Sequence, residues 1–320
     1  MRQLSRLFKR VFRNKFSFTF IYSDSYWMVK TGNHAFPSRK YRLLYEKLLY
    51  MGARKENFLS PKTASIKDVC LVHSEKYVKK LLTGGLSPSE AAAIELPFSP
   101  ELRSFAFLCV GGTVLAAEKA LEDGISFHIG GGFHHAFPDH GEGFCVLNDV
   151  AVAIEKLRRE GRIQKALVVD CDVHQGNGTA AIFLKTDDVF TFSIHQMDLY
   201  PAQKPASSLD VELWSGDGDE KYLASLRLHI PQLYSTFKPE LIFYLAGADP
   251  YKNDQLGGLK LSIEGLKERD RIVLEEARRH KIPVVILLAG GYAYDIHDTV
   301  SIHLNTFKIA QKIHKKPFLR

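Results

Sequence analysis

From Phe18 onward, short runs rich in β-branched and aromatic residues alternate with longer stretches whose apolar positions recur at helical spacing. That alternation predicts a parallel sheet covered by helices. The run Phe18-Thr19-Phe20-Ile21-Tyr22 is the first predicted strand, and residues 39–51 form a helix closed by Gly52. A second helix is predicted over 74–82, ending at Gly84-Gly85. Residues 101–121 form a long, mostly apolar helix interrupted by Gly111-Gly112, where tight packing against a neighbour would account for the lost helix propensity. Nearly all-apolar runs at 125–129, 166–169, 189–194, 241–245 and 284–288 read as strands buried on both faces, separated by amphipathic helices at 149–159, 221–237 and 262–280. No internal repeat or low-complexity linker divides them. The expected fold is a single α/β domain, a mostly parallel multi-stranded sheet with helices on both faces.

Composition changes this picture little. At 320 residues, length alone slightly favours two domains over one, while 45% apolar and 25% charged residues exclude wholesale disorder. Lysine and arginine exceed aspartate and glutamate, 43 against 36, for a net charge of +7. The excess gathers at the start, in Arg2, Arg6, Lys9, Arg10, Arg13 and Lys15, with no acidic residue before Asp24. Residues 1–16 are therefore read as a basic N-terminal extension and 17–320 as the folded domain. The extension is expected to be solvated. Alternatives are an amphipathic helix on a membrane surface, carried by Leu4, Leu7, Phe8, Val11 and Phe12, a contact with nucleic acid, or an organellar transit peptide. Cys70, Cys109, Cys145 and Cys171 are too scattered for a disulfide framework, which predicts a reducing compartment. With no apolar run of transmembrane length and no secretion-signal core, a cytoplasmic protein is expected.

Ligand sites in parallel sheets lie beyond the carboxyl ends of the strands. Here predicted strands run into Gly-Gly-Gly-Phe-His-His (130–135), Asp-Cys-Asp-Val-His (170–174), Ala-Gly-Ala-Asp (246–249) and Gly-Gly-Tyr (290–292). Singly, each cluster has an ordinary explanation, such as an aspartate capping the next helix. Their joint occurrence at one sheet edge points to a site. Asp170, Asp172 and His174 recur at a spacing of two, so in extended chain they project to one face and can address the same ion. Asp172 and His174 supply two ligands, and Asp249 is the best candidate for a third, leaving an open position for water on zinc. His134 and His135 would then act as general base and general acid. With two oxygen donors and no thiolate, ferrous iron competes with zinc for such a site.

These strings, with Gly-Glu-Gly-Phe-Cys-Val-Leu-Asn-Asp (141–149), Asp-Cys-Asp-Val-His-Gln-Gly-Asn-Gly-Thr (170–179) and Leu-Gly-Gly-Leu (256–259), occur in an order that resembles the histone deacetylase family of the arginase/deacetylase fold. The resemblance spans roughly residues 22–305 and is strongest to the class IV branch and to bacterial deacetylase-like proteins. It implies that Asp172, His174 and Asp249 bind zinc, that Tyr292 polarises the amide carbonyl and stabilises the oxyanion, and that His134 or His135 is the base, with His135 protonating the leaving amine. Asp170 moves from presumed ligand to hydrogen-bond partner of His134. Asn177 stands where many members carry aspartate beside the other histidine, which predicts a less basic His135. Phe144, with Gly143 and Gly291, is expected along the substrate's aliphatic stem, with Met197 and Tyr200 as candidates for the opposite wall. Arg39 resembles an internal-channel arginine, and Ser193 a residue of a structural monovalent-cation (K+) site.

The implied activity is hydrolysis of an N-ε-acyl-lysine in a protein or peptide, and the class IV likeness extends this to long-chain acyl groups. The alternative is an acetylpolyamine or other small acylated amine. A two-manganese, arginase-like reaction fits less well, because the second carboxylate of a bridging site is missing. An idle acyl-lysine reader or scaffold is opposed by the intact set of ligands, histidines and tyrosine. No obligate partner is evident.

Overall fold

The computed structural model describes residues 16, 18–29, 31 and 34–314. The basic stretch that carries the predicted amphipathic, transit-peptide or nucleic-acid readings lies outside the described residues. Of the predicted extension only Phe16 is described, and it is buried against Phe18 and Phe20.

Eight strands form one sheet: β1 (Thr19–Ile21), β2 (Phe58–Leu59), β3 (Ile125–His128), β4 (Ala166–Asp170), β5 (Val189–Gln196), β6 (Leu209–Leu213), β7 (Leu241–Leu245) and β8 (Val284–Leu287). Every pairing is parallel, and the order is β2-β1-β3-β8-β7-β4-β5-β6. Alternate residues of the central strands enter two separate cores. Ile242, Tyr244, Val169 and Phe127 face one, and Leu241, Phe243, Leu245, Val168 and Val285 the other. Burial on both faces is why these strands are apolar without interruption. The expectation of one α/β domain with helices on both faces holds.

The helices are α1 (Arg39–Tyr50), α2 (Ile66–Val69), α3 (Glu75–Thr83), α4 (Pro88–Ala93), α5 (Pro100–Asp123), α6 (Asp149–Arg159), α7 (Asn177–Phe183), α8 (Asp219–Phe237), α9 (Ile263–His280) and α10 (Ile296–His314). α5 and α6 cover one face with Ala116, Ala117, Ala120, Val150, Ile154 and Leu157. Leu44 of α1, Leu226 of α8, Val273 of α9 and Phe307 of α10 cover the other. By length and composition alone α5, with 24 residues, could cross a membrane. Its apolar character serves the core, because it lies against β1, β3, β8 and α6.

Several helix ends follow from local chemistry. The Ser74 and Ser99 side chains accept from the third backbone N–H beyond them, and Gly84 and Gly124 end α3 and α5 in left-handed conformation. The glycine pair inside α5 packs as predicted: a Cβ on Gly111 would collide with the Lys62 carbonyl, and one on Gly112 with His128 and the Tyr26 hydroxyl.

Candidate active site and metal centre

The strands that end in the polar strings, β3, β8, β7 and β4, are neighbours in that order at the centre of the sheet. Segments spread across the chain thus meet at one edge. Asp149, at the start of α6, shapes the loop after β3 by accepting from Gly132 N at 3.0 Å and Phe133 N at 2.8 Å. Gly131 and Gly132 hold φ of 72° and 86°, which a side-chain-bearing residue would resist. Gly132 also abuts Ala289, leaving no room for a Cβ.

This turn delivers two buried histidines. His134 Nδ1 lies 2.6 Å from Asp170 Oδ2, His135 Nδ1 lies 2.7 Å from Asn177 Oδ1, and the two Nε2 atoms face each other at 3.1 Å. Burial opposes a charge on His134, but Asp170 and Asp172 outweigh it and raise the imidazole to about 9. His135 is held well below the usual value, by burial first and then by the charge of His134. The pair therefore carries one proton more readily than two.

Asp172, His174 and Asp249 offer ligand atoms that all lie within 4.8 Å of one another, and all three residues are buried. Asp172 Oδ2 accepts from Gly290 N at 2.7 Å, and Asp249 Oδ1 from Val173 N at 3.0 Å. The remaining Asp249 Oδ2 is buried with no hydrogen-bond partner. A buried, unpaired carboxylate oxygen is costly. Burial and the neighbouring Asp172 raise Asp249 to about 7, so two crowded carboxylates call for a proton or a cation between them. Burial also opposes a charge on His174, yet its hydrogen bond to Asp172 and the charges of Asp172 and Asp249, the latter 3.6 Å away, raise it to about 10. A divalent ion would take that proton's place. The donor set, two hard oxygens and an imidazole, fits the metal that the sequence implies.

Tyr292 closes the site from β8. Its N donates to Asp254 Oδ2 at 2.6 Å and its carbonyl accepts from Gln255 Nε2 at 2.8 Å, so its backbone is held on both sides. Burial, then Asp172 and Asp249, push the phenol far up, and it stays protonated. Phe144 stands edge-on to the Tyr292 ring at 5.8 Å. With Phe36, Tyr41, Phe133, Gly143, Cys145 and Gly290 they line a cavity of about 20 Å³.

Five expectations meet the structure here. Asp170 stands outside the ligand group, its carboxylate bonded to His134 Nδ1 and to the Asp172 backbone N–H, as the family likeness implied and its spacing alone did not. Gly291 packs behind the site against Ala248 and Thr299, and Gly290 lines the cavity instead. Arg39 is exposed, whereas Lys40 is buried, its Nζ donating to the Ala289 carbonyl at 2.9 Å beneath the Tyr292 ring. Burial lowers Lys40 to about 8 despite Asp249, Asp172 and Asp254. Of the two candidates for the facing wall, Tyr200 stands edge-on to His135 and His174, at 5.0 and 6.2 Å. Met197 is half-buried, its backbone N bonded to Leu213 O. Ser193 Oγ lies 3.0 Å from His195 Nδ1, on the strand beside Asp170. Glu142, Asp254 and Lys40 were not singled out by sequence. Glu142 lies within the 141–149 string but was given no role there, Asp254 carries no motif, and Lys40 needs the phase of α1.

Fold and site together define a hydrolase of the metal-dependent kind, built at the carboxyl edge of a parallel sheet. The Histone deacetylase domain model matches residues 34–307, and the chain belongs to the histone deacetylase family. It is 33% identical to histone deacetylase 2 of Arabidopsis thaliana over 285 residues, covering 85% of this chain and 74% of the relative. It is 30% identical to the acetoin utilization protein AcuC of Bacillus subtilis, covering 87% and 77%. An uncharacterized protein of Picosynechococcus sp. is 40% identical over 93% of this chain and 99% of its own length. The crystal structure of the HDA15 HD domain shares the fold, with a TM-score of 0.76 over 93% of this chain and 89% of the other, at 20% identity.

Proposed function

We propose that this protein hydrolyses the amide of an N-ε-acetyl-lysine side chain, with zinc held by Asp172, His174 and Asp249. The observation that carries this reading is the buried Asp172–His174–Asp249 group, whose Asp172 Oδ1 lies 3.9 Å from Nε2 of a histidine pair with its two Nε2 atoms 3.1 Å apart. A zinc ion bound there would lower the pKa of water towards about 7 and polarise the substrate carbonyl. The unprotonated member of the His134–His135 pair accepts the proton of the attacking water. His135 returns a proton to the leaving amine, and the two exchange it across their shared hydrogen bond. Tyr292 donates to the oxygen on which charge develops.

The apolar rings of Phe144, Phe36 and Phe133 suit an aliphatic lysine stem, and acetyl is assigned as the acyl group on the family likeness. Acetyl-lysine and myristoyl-lysine peptides, offered to the metal-loaded enzyme, test both points. Faster turnover of the acetyl peptide, abolished in His135→Ala, is expected. Faster turnover of the myristoyl peptide would reverse the chain-length assignment, and no turnover of either would remove the reading.

A further inference from the structure

Asn177 presents its amide to two groups at once. Its Oδ1 faces His135 Nδ1 at 2.7 Å, while its Nδ2 donates to Glu142 Oε1 at 2.5 Å. The same Glu142 oxygen accepts from the Tyr200 hydroxyl at 3.0 Å, and the other lies 3.5 Å from His140 Nε2. Tyr200 in turn stands against the His135 ring. The segment that carries Glu142 is fixed: Cys145 N donates to the Glu142 carbonyl, and Gly143 N and Phe144 N donate to Ala93 and Ile94. Gly143 has φ of 51°, and a Cβ there would stand 2.8 Å from both His135 and the Tyr200 hydroxyl. Only glycine lets the three groups close up.

An ionised carboxylate accepts hydrogen bonds and donates none. Glu142 can therefore be faced only by the N–H side of the Asn177 amide, which turns the amide oxygen to His135. Nδ1 of His135 must then carry the hydrogen, and its Nε2 is left towards His134 and the ligand group. Without that charge Asn177 is free to flip, offering its N–H groups to Nδ1 and favouring the opposite tautomer. We propose that Glu142 is a positioning residue of the reaction: through Asn177 it sets the tautomer and orientation of His135, and through Tyr200 it holds the ring beside it. The assignment rests on the hydrolase reading above. It also explains how a neutral asparagine serves here, since the fixed charge sits one hydrogen bond further out.

Reversing the bond tests this. Glu142→Gln and Asn177→Asp are made singly and together in the metal-loaded enzyme, with kcat, KM and the ¹⁵N ring shifts of His135 measured in each. Asn177→Asp alone sets two carboxylates against each other and lowers kcat about tenfold or more, with KM near that of wild type. Glu142→Gln alone lowers kcat about threefold to tenfold and mixes the two His135 tautomers. In the double variant the glutamine amide donates to the new carboxylate, which still accepts from Nδ1. There kcat returns to within about threefold of wild type and the Nδ1–H tautomer is restored. Additive losses in the double variant, or one unchanged tautomer throughout, would overturn the assignment. Should the wild type hydrolyse no acetyl-lysine peptide, the functional reading falls while the tautomer series still decides the role of Glu142.

Discussion

Tyr292 holds its proton against burial and two carboxylates, so its hydroxyl is a donor at any pH the fold tolerates. A donor aimed where negative charge develops is worth about 3 kcal/mol of barrier. Tyr292→Phe is thus expected to lower kcat by about 10²-fold with little change in KM, measured by acetate release from an acetyl-lysine peptide. A raised KM with kcat unchanged would instead mark it as a binding group. At this scale the sequence brought the candidate ligands and histidines to one sheet edge, because each lies in a loop that follows a buried strand. It failed where one residue of phase matters. Arg39 and Lys40 are adjacent, and only the turn of α1 decides that the lysine enters the core. Glu142 was hidden for another reason, since its role runs through Asn177, 35 positions away.

Among the elements, α5 shows what a helix gives up to pack. Its Gly111-Gly112 pair brings helix backbone against Lys62 and beneath Tyr26 and His128. Gly111→Ala gains helix propensity, about 1 kcal/mol, yet drives a methyl into a carbonyl. A net destabilisation of about 1–3 kcal/mol is expected in urea unfolding, and a stabilised variant would contradict the packing. The central strands were legible through their unbroken apolar runs. The edge strands β2 and β6 were not, because Phe58–Leu59 is too short and Leu209–Leu213 carries Asp210 and Glu212 on a partly exposed edge. α10 escaped notice because His297, Asp298, His303 and Asn305 interrupt its apolar stripe, although His303 is fully buried.

Across the whole molecule, two features tie stability to conditions. Burial lowers His73 to about 4, where it accepts from Asn148 N and pairs with the Phe137 carbonyl. The folded form binds fewer protons than the unfolded chain between that value and about 6.5. The stability it contributes is fully present above about pH 6.5 and is lost as pH falls through about 4. The urea midpoint should therefore drop between pH 7 and pH 4.5, and less steeply in His73→Gln. Metal binding acts in the same direction as folding, because only the folded chain gathers Asp172, His174 and Asp249. Chelation is expected to lower Tm by roughly 5–10 °C, in the range set by a ligand at many times its Kd. The order of the sheet, which places β3, β8, β7 and β4 side by side, was not readable from pattern alone, since strand neighbours are chosen by long-range packing.

The central claim is that this edge holds a metal that the reaction requires. Metal content and acetyl-lysine turnover, measured together on wild type and Asp249→Ala, test it most directly. One equivalent of metal and steady turnover in the wild type, with both lost in the variant and turnover restored to chelated wild type by added zinc, is the predicted result. Undiminished turnover in the metal-free wild type, or in Asp249→Ala, would contradict the account.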